Sequence, residues 1–420
     1  MLKNYYMKYF LKFVKIFTIL IVSFSIFSVL SCLLPYKYIQ KNIEKSLPEL
    51  YDENRSSCAI LYGKEYQQDD FTHALIINII ASSDSKKPIR SAMTNPYSFQ
   101  APDTKHWYAY KHLEHKVNHI DLTPNIHYGR YWHGTAAVGR ILLLFMTYQQ
   151  IKWLLYLVST LLFLVFAVKI VNKAGWIKSL PIFLAFLFAN FFVTQFSLQF
   201  FPVMAISLIA GIWMSSNGLK PQGKLNMFLF IIGMLTAYFD LLTTPLLTLG
   251  IPLIVYLILQ TEEKKTVWEL FRAIMLLCIF WFIGFAGAWA MKWILVAILT
   301  DSTTIYALET VRYRTTTNGF TRWDVIVSNV GLLPLVWLNT ILTGLLLLTF
   351  LSFNKKGIPL AIAFLMVGLL PYVWYFVLSG HSYTHWWFTY RAQIISMACA
   401  MSAFVSLIDW ERLKSKLKIR

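Results

Sequence analysis

Asp69 and Asp70 stand together in "EYQQDDFTHALIINIIA", residues 65–81, just ahead of an apolar run. A carboxylate fixed beside such an anchor can work as a general base. The same pair would also serve as the acidic start of a helix, where the dipole favours negative charge. Arg130 and His133 lie in "NIHYGRYWHGTAAVGR", residues 125–140, among Tyr128, Tyr131 and Trp132. A guanidinium fork matches phosphate, and imidazole donates or relays a proton near neutral pH. The aromatics alone would also suit anchoring at a membrane interface. Asp240 sits in "FDLLTTPL", residues 239–246, where an apolar run ends. A carboxylate at such a depth is costly, and by default it marks function. "LETVRYR", residues 308–314, holds Glu309, Arg312 and Arg314, either a solvated face or a set of anion donors. "HSYTHWWFTYR", residues 381–391, puts His381 and His385 on one face of a helix, with Arg391 close behind.

Two further chemistries compete with these. "HLEHKVNH" brings His112, His115 and His119 to one helical face beside Glu114, a spacing that could hold a divalent metal. It lacks a zinc-protease motif such as H-E-x-x-H, so no metal or other cofactor is expected. No glycine-rich phosphate loop is present either. A reaction on the far side of a membrane would then draw on a membrane-embedded donor, such as a polyprenyl-phosphate sugar, rather than on a nucleotide sugar.

The elements that must position these groups are apolar. Of 420 residues, 57% are hydrophobic and only 14% charged, against roughly 25% in soluble domains. Several runs approach the ~20 residues that cross a bilayer core. Backbone satisfaction in lipid then demands helices, because barrel strands would alternate every second residue. The expectation is an all-α polytopic membrane protein of about ten transmembrane helices. Their approximate limits are 13–34, 153–171, 180–194, 200–215, 225–239, 245–260, 273–298, 328–352, 357–378 and 392–408. Residues 1–35 would form the cytoplasmic N-terminus and first helix, read as uncleaved. Residues 36–152 would form a large extracytoplasmic loop with interfacial helices, one of them in "AVGRILLLFMTYQQIK". Residues 153–410 would form the multi-span body, and 411–420 a basic cytoplasmic tail. The four cysteines suggest no disulfide framework.

Orientation follows from the short loops. With the N-terminus cytoplasmic, every predicted inside segment is basic, from Lys8 and Lys12 through Lys173, Lys220, Lys265 and Lys356 to the tail. The net charge of +18 is explained this way and by anionic lipid, and does not imply nucleic acid. All nine histidines then fall on or near the outer face.

One helix, a large outer loop beginning with acidic residues, and a multi-span body form a layout that resembles the GT-C class of membrane glycosyltransferases. The phrases "DDFTHALIIN", "YGRYWHG", "AYFDLLTTPLLTLG" and "HSYTHWWFTYR" are also similar to multi-span proteins of low-GC Gram-positive bacteria. The GT-C resemblance implies a sugar transferred from a polyprenyl-phosphate donor with inversion, and a loop carboxylate as base, matched here by Asp69 and Asp70. By type, Arg130, His133, His385 and Arg391 suit the donor phosphate. Tyr131, Trp132, Asp240, Arg312 and Arg314 are further substrate-binding candidates. The expected place is a bacterial plasma membrane with both termini cytoplasmic. The expected partners are the bilayer, the lipid-linked sugar and an envelope glycan or other acceptor. A transporter or flippase for a lipid-linked or anionic substrate, and a polysaccharide ligase or polymerase, are the alternatives.

Overall fold

A computed structural model describes residues 2–53, 57–61, 64–67, 70–100, 109–119, 121–260, 265–300, 305–317 and 319–417. The chain opens with α1 (Leu2–Cys32) and α2 (Tyr36–Glu53), then a hairpin of β1 (Ser57–Leu61) and β2 (Lys64–Gln67). Next come α3 (Asp70–Ala81), α4 (Pro88–Thr94), β3 (Pro96–Tyr97), α5 (Ala109–Asn118), β4 (Ile126–His127) and α6 (Gly134–Leu143). Strands β3 and β4 pair antiparallel, Pro96 opposite His127. The stretch read as an interfacial helix is divided. Its first half is α6, whose Gly134–Ala137 turn and Arg140 are buried, and the chain turns at 144–147 before the next helix.

The body consists of α7 (Tyr148–Ala174), α8 (Trp176–Phe188), α9 (Phe191–Thr194), α10 (Phe201–Asn217), α11 (Gln222–Phe239), α12 (Leu247–Leu259) and α13 (Val267–Leu299). It continues with α14 (Ile305–Thr315), α15 (Arg322–Val330), α16 (Leu335–Leu351), α17 (Ile358–Gly368), α18 (Leu370–Val377), α19 (Ser379–Thr384), α20 (Trp386–Thr389), α21 (Gln393–Leu407) and α22 (Trp410–Leu417). Thr147 with Gln150 and Thr266 with Glu269 make capping boxes that start α7 and α13. Gly175, at φ +79°, breaks the chain between α7 and α8.

The protein is a predominantly helical polytopic chain, and among the described residues five stretches are long and apolar enough to span: Met7–Cys32, Tyr148–Ala174, Val267–Leu299, Lys355–Val377 and Trp386–Leu407. Their outward faces carry bare Ile19, Ile26, Leu161, Val168, Phe282 and Ile283, as a bilayer requires. Five of the ten expected spans thus meet that length and apolarity among the described residues. The 328–352 run divides into α15 and α16, bent by 85°. Thr321 and Asp324 start the first as a helix of its own, and Pro334 cannot donate to continue it. The runs near 180, 200 and 245 appear as the shorter helices α8, α10 and α12. Of these α12 is the most enclosed, buried at every position from Leu247 to Leu257. Helix α12 packs against α7, α10, α11, α13, α17 and α21.

Small residues set the closest approaches. A Cβ at Gly233 would strike the Trp281 carbonyl, and one at Gly284 the Phe230 carbonyl, so α11 and α13 touch backbone to backbone. Gln222 also donates to the Ala273 carbonyl at 3.4 Å, with the same sequence offset as the glycine pair. A constant offset means that α11 and α13 run parallel.

Candidate functional site

The region where α11 and α13 end gathers charged and aromatic groups from five segments. The turn before α6 delivers Tyr128, Arg130, Tyr131 and His133. Arg130 lies 4.2 Å over the Tyr128 ring and 5.8 Å from that of Tyr131. The Arg130 carbonyl accepts from the indoles of Trp289 and Trp293, both on α13, at 2.9 and 3.0 Å. Trp132 donates to the Ala288 carbonyl at 2.8 Å, which ties the same turn to α13 a second time. Lys292, fully buried on α13, donates to the Ala92 carbonyl at 2.9 Å and lies 5.2 Å from the Trp132 ring centre. Arg314 on α14 lies 5.8 Å from the Tyr131 ring.

Asp240 caps α11 and accepts from the Thr243 amide at 2.9 Å and the Thr243 hydroxyl at 2.6 Å. Burial pushes its carboxyl up to about 6, against the pull of those hydrogen bonds and of the Leu241 and Leu242 amides. Asp240 is also close enough to help hold the Tyr131 phenol up at about 12, where burial is the main cause. Two residues later the chain takes φ +67° at Leu242, and His133 takes φ +56°. Non-glycine residues in this region are uncommon and cluster at functional sites.

The Leu242 conformation has a visible use. Its carbonyl accepts from Nε2 of His381 at 2.6 Å. A carbonyl can only accept, so Nε2 carries the proton and Nδ1 is left as an acceptor. Arg314 donates to that Nδ1. Burial, then the Arg314 charge, hold His381 well below the usual histidine range. His385 lies 4.8 Å from His381, stacks on Phe388 at 5.0 Å and is lowered to about 4 by burial, then by Arg314.

His133 is 2% exposed and packs 5.0 Å from Tyr128. Burial dominates its strongly lowered pKa, and Lys292, Arg130 and Arg140 add to it. The imidazole is therefore neutral at pH 7. Five buried polar atoms here lack a hydrogen-bond partner among the described residues: Nε of Arg130, the Tyr131 hydroxyl, both ring nitrogens of His133 and Nε of Arg314. Buried polar groups are ordinarily satisfied, so such a concentration asks for a ligand.

The structure thus brings Arg130, Tyr131, Trp132, His133, Asp240, Arg314 and His385 into one connected region. Trp132 serves there as a packed strut. Arg391, 2% exposed, packs 4.4 Å over Phe200 and 5.1 Å over Tyr390, one aromatic layer beyond Phe388. Arg312 points outward and is exposed. Asp69 lies outside the described residues, and Asp70 is described only as the first backbone position of α3. Lys292 and His381 are members to which the sequence reading assigns no site role. A lone lysine in an apolar helix was a legible signal for the first. Nothing in the sequence pairs His381 with an arginine 67 positions away. Among the histidines weighed for metal, His112 is buried and stacked on Phe99 at 4.1 Å, while His119 is exposed. Among the described residues no three His, Cys, Asp or Glu side chains group as a metal site would need. No protein family, curated protein or solved structure matches the chain.

Proposed function

We propose that the chain is a membrane glycosyltransferase of GT-C type that uses a polyprenyl-phosphate sugar at the extracytoplasmic face. The observation that carries this reading is the set of unpartnered buried atoms on Arg130, Tyr131, His133 and Arg314, with buried Lys292 beside them. Arg130, Arg314 and Lys292 bring positive charge to this region, and a phosphate offers the acceptor oxygens these donors lack. In the proposed reaction an acceptor hydroxyl oxygen attacks the anomeric carbon. The bond from that carbon to the phosphate oxygen breaks, and the departing polyprenyl phosphate keeps the electron pair. The hydroxyl proton passes to a carboxylate. Asp240, already beside the cluster with a pKa near neutrality, is the first choice. Asp69 and Asp70, which the GT-C resemblance implies, are the alternatives.

A transporter would need a polar path onward through the bundle. Helix α12, which follows the Asp240 turn, is buried and almost wholly apolar. The test is transfer of labelled sugar from a polyprenyl-phosphate donor by the purified protein. Asp240→Asn, Asp69→Asn and Asp70→Asn are compared as separate variants. Loss of the true base should cost about 10²–10⁴-fold in rate. If donors of every sugar class leave the wild-type protein inactive, the reading fails.

A further inference from the structure

Helices α15 and α18 border a groove of about 350 Å³. Arg322 and Ile326 line it from α15, and Tyr372, Val373 and Phe376 line it from α18. Both sets follow the three- and four-residue spacing of a single helix face. Arg322 brings the one charge among the described lining residues.

The groove sits where a bilayer keeps its phosphates. Helix α18 closes the spanning stretch Lys355–Val377, and its Val373, Phe376 and Val377 are exposed, as a lipid-facing surface is. Arg322 Nε donates to the Phe376 carbonyl at 3.3 Å, one residue before that stretch ends. The guanidinium also lies 4.2 Å over the Phe376 ring. Its charge is thus held at the end of a span. Helix α15 has the form of an interfacial helix. Bent 85° from α16, it exposes Trp323 and Val327 and buries Val325 and Asn329. Tryptophan is enriched at the membrane–water boundary.

Both walls are fixed. Val325 of α15 packs with Tyr375 of α18 and with Ala392. Asn329 donates to the Ser382 carbonyl at 3.1 Å and accepts from the Thr389 hydroxyl at 2.7 Å. The Tyr375 phenol donates to the Thr389 carbonyl at 3.0 Å. Both helices are therefore tied to the same segment, 382–392. The carboxylate of Asp324 accepts from the Thr321 amide at 2.7 Å and the Thr321 hydroxyl at 2.8 Å, in the cap of α15. It stands two residues from Arg322, and such positions on a helix do not face each other.

We infer that this groove binds an anionic phospholipid of the bilayer, its phosphate on Arg322 and an acyl chain over Ile326, Val373 and Phe376. With Nε engaged by the Phe376 carbonyl, the terminal nitrogens of the guanidinium form the fork that matches phosphate. A zwitterionic headgroup would bring its own cation to the arginine, so the charge favours an anionic one. The site is separate from the cluster around His133. The inference does not depend on the proposed sugar transfer, and its test uses no turnover.

Full-length protein in neutral detergent is crosslinked to a photoactivatable phosphatidylglycerol, and the labelled peptides are mapped by mass spectrometry. Unlabelled phosphatidylglycerol or phosphatidylcholine competes. Crosslinks should fall in α15 and α18. Phosphatidylglycerol should compete about five-fold better than phosphatidylcholine, the effect of one arginine near an anionic lipid. Arg322→Gln should abolish that preference, while Arg322→Lys, which keeps the charge, should retain it. Ile326→Trp, which fills the groove and leaves the charge, should reduce crosslinking at both helices. The proposal is overturned if no crosslink maps to either helix, if the two lipids compete equally, if Arg322→Gln keeps the preference, or if Ile326→Trp crosslinks as the wild type does.

Discussion

Arg314 donates to Nδ1 of His381, and His381 is itself fixed by the Leu242 carbonyl. A left-handed leucine beside Asp240 thereby sets the tautomer of a histidine, which in turn orients a buried guanidinium. His381 acts as a positioning residue in the proposed reaction. His381→Phe should lower kcat/KM by roughly 10–150-fold, the range for a buried hydrogen bond to a charged group. In a double-mutant cycle with Arg314→Lys, the two losses should be clearly less than additive. Full additivity would mean that the contact has no role in placing Arg314.

The proposed base gives a pH signature. Asp240 titrates at about 6, so the base form is lost as pH falls through that value. Transfer by the wild type should therefore decline tenfold per pH unit below about 6. The residual activity of Asp240→Asn should lack this limb. If the limb survives in that variant, the proton goes elsewhere, and the same profile for Asp69→Asn and Asp70→Asn shows where.

Stability should fall in acid for a different reason. His73 is fully buried, its pKa lowered to about 3 by burial, and His133, His381 and His385 are lowered too. The unfolded chain takes up these protons near pH 6.5, while the folded chain refuses them until well below that. The unfolded state thus binds more protons in this window, so stability is full above about 6.5 and drops as pH falls toward 4. Asp240 opposes the trend, since its folded pKa is raised, but it is one group against four. Melting temperatures measured from pH 7.5 to 5 should decline steadily, and a flat profile would refute neutral burial of these rings.

Tyr148, His73 and Ser197 form a linear chain of hydrogen bonds, 2.6 Å from the phenol to Nδ1 and 2.8 Å from Nε2 to the serine. The serine oxygen also receives the amides of Gln199 and Phe200. The chain joins α3, α7 and the segment leading into α10. Tyr148→Phe removes one hydroxyl without changing shape and should cost about 1–3 kcal/mol. Thermal unfolding measures the loss. An unchanged midpoint would show that the contact adds nothing to stability.

Gly380 and Gly134 are seats for neighbouring backbone. A Cβ at Gly380 would crowd the carbonyls of Tyr313, Arg314 and Thr316, and one at Gly134 would meet Tyr238. Gly380→Ala should push α19 away from α14 and weaken donor binding through Arg314, seen as a raised KM. Gly344→Ala, where a Cβ would touch nothing within 4 Å, is the control and should behave as wild type.

Much of this architecture could be read from residue type alone. Long apolar runs give α1, α7 and α13 because lipid leaves the backbone no partner but itself. Buried runs such as α12 are short and read as spans too, since a helix hidden among helices is as apolar as one in lipid. The bend before α16 is not legible in hydropathy, which is blind to a capping threonine and a proline in the same apolar neighbourhood. At the site, Arg130 and His133 are legible through their aromatic company. The coupling of His381 to Arg314 and Leu242 is not, because it depends on three segments meeting in space.

The glycine contact between α11 and α13 acts as a ruler. Gly233 meets α13 at the level of Gly284, and the helices run parallel. Asp240 lies seven residues past the first glycine, and Lys292 eight past the second. At about 1.5 Å per residue both charges stand roughly 10–12 Å beyond the crossing, nearly level with each other. A single methyl group at either glycine would pry the two backbones apart and move the carboxylate relative to the ammonium.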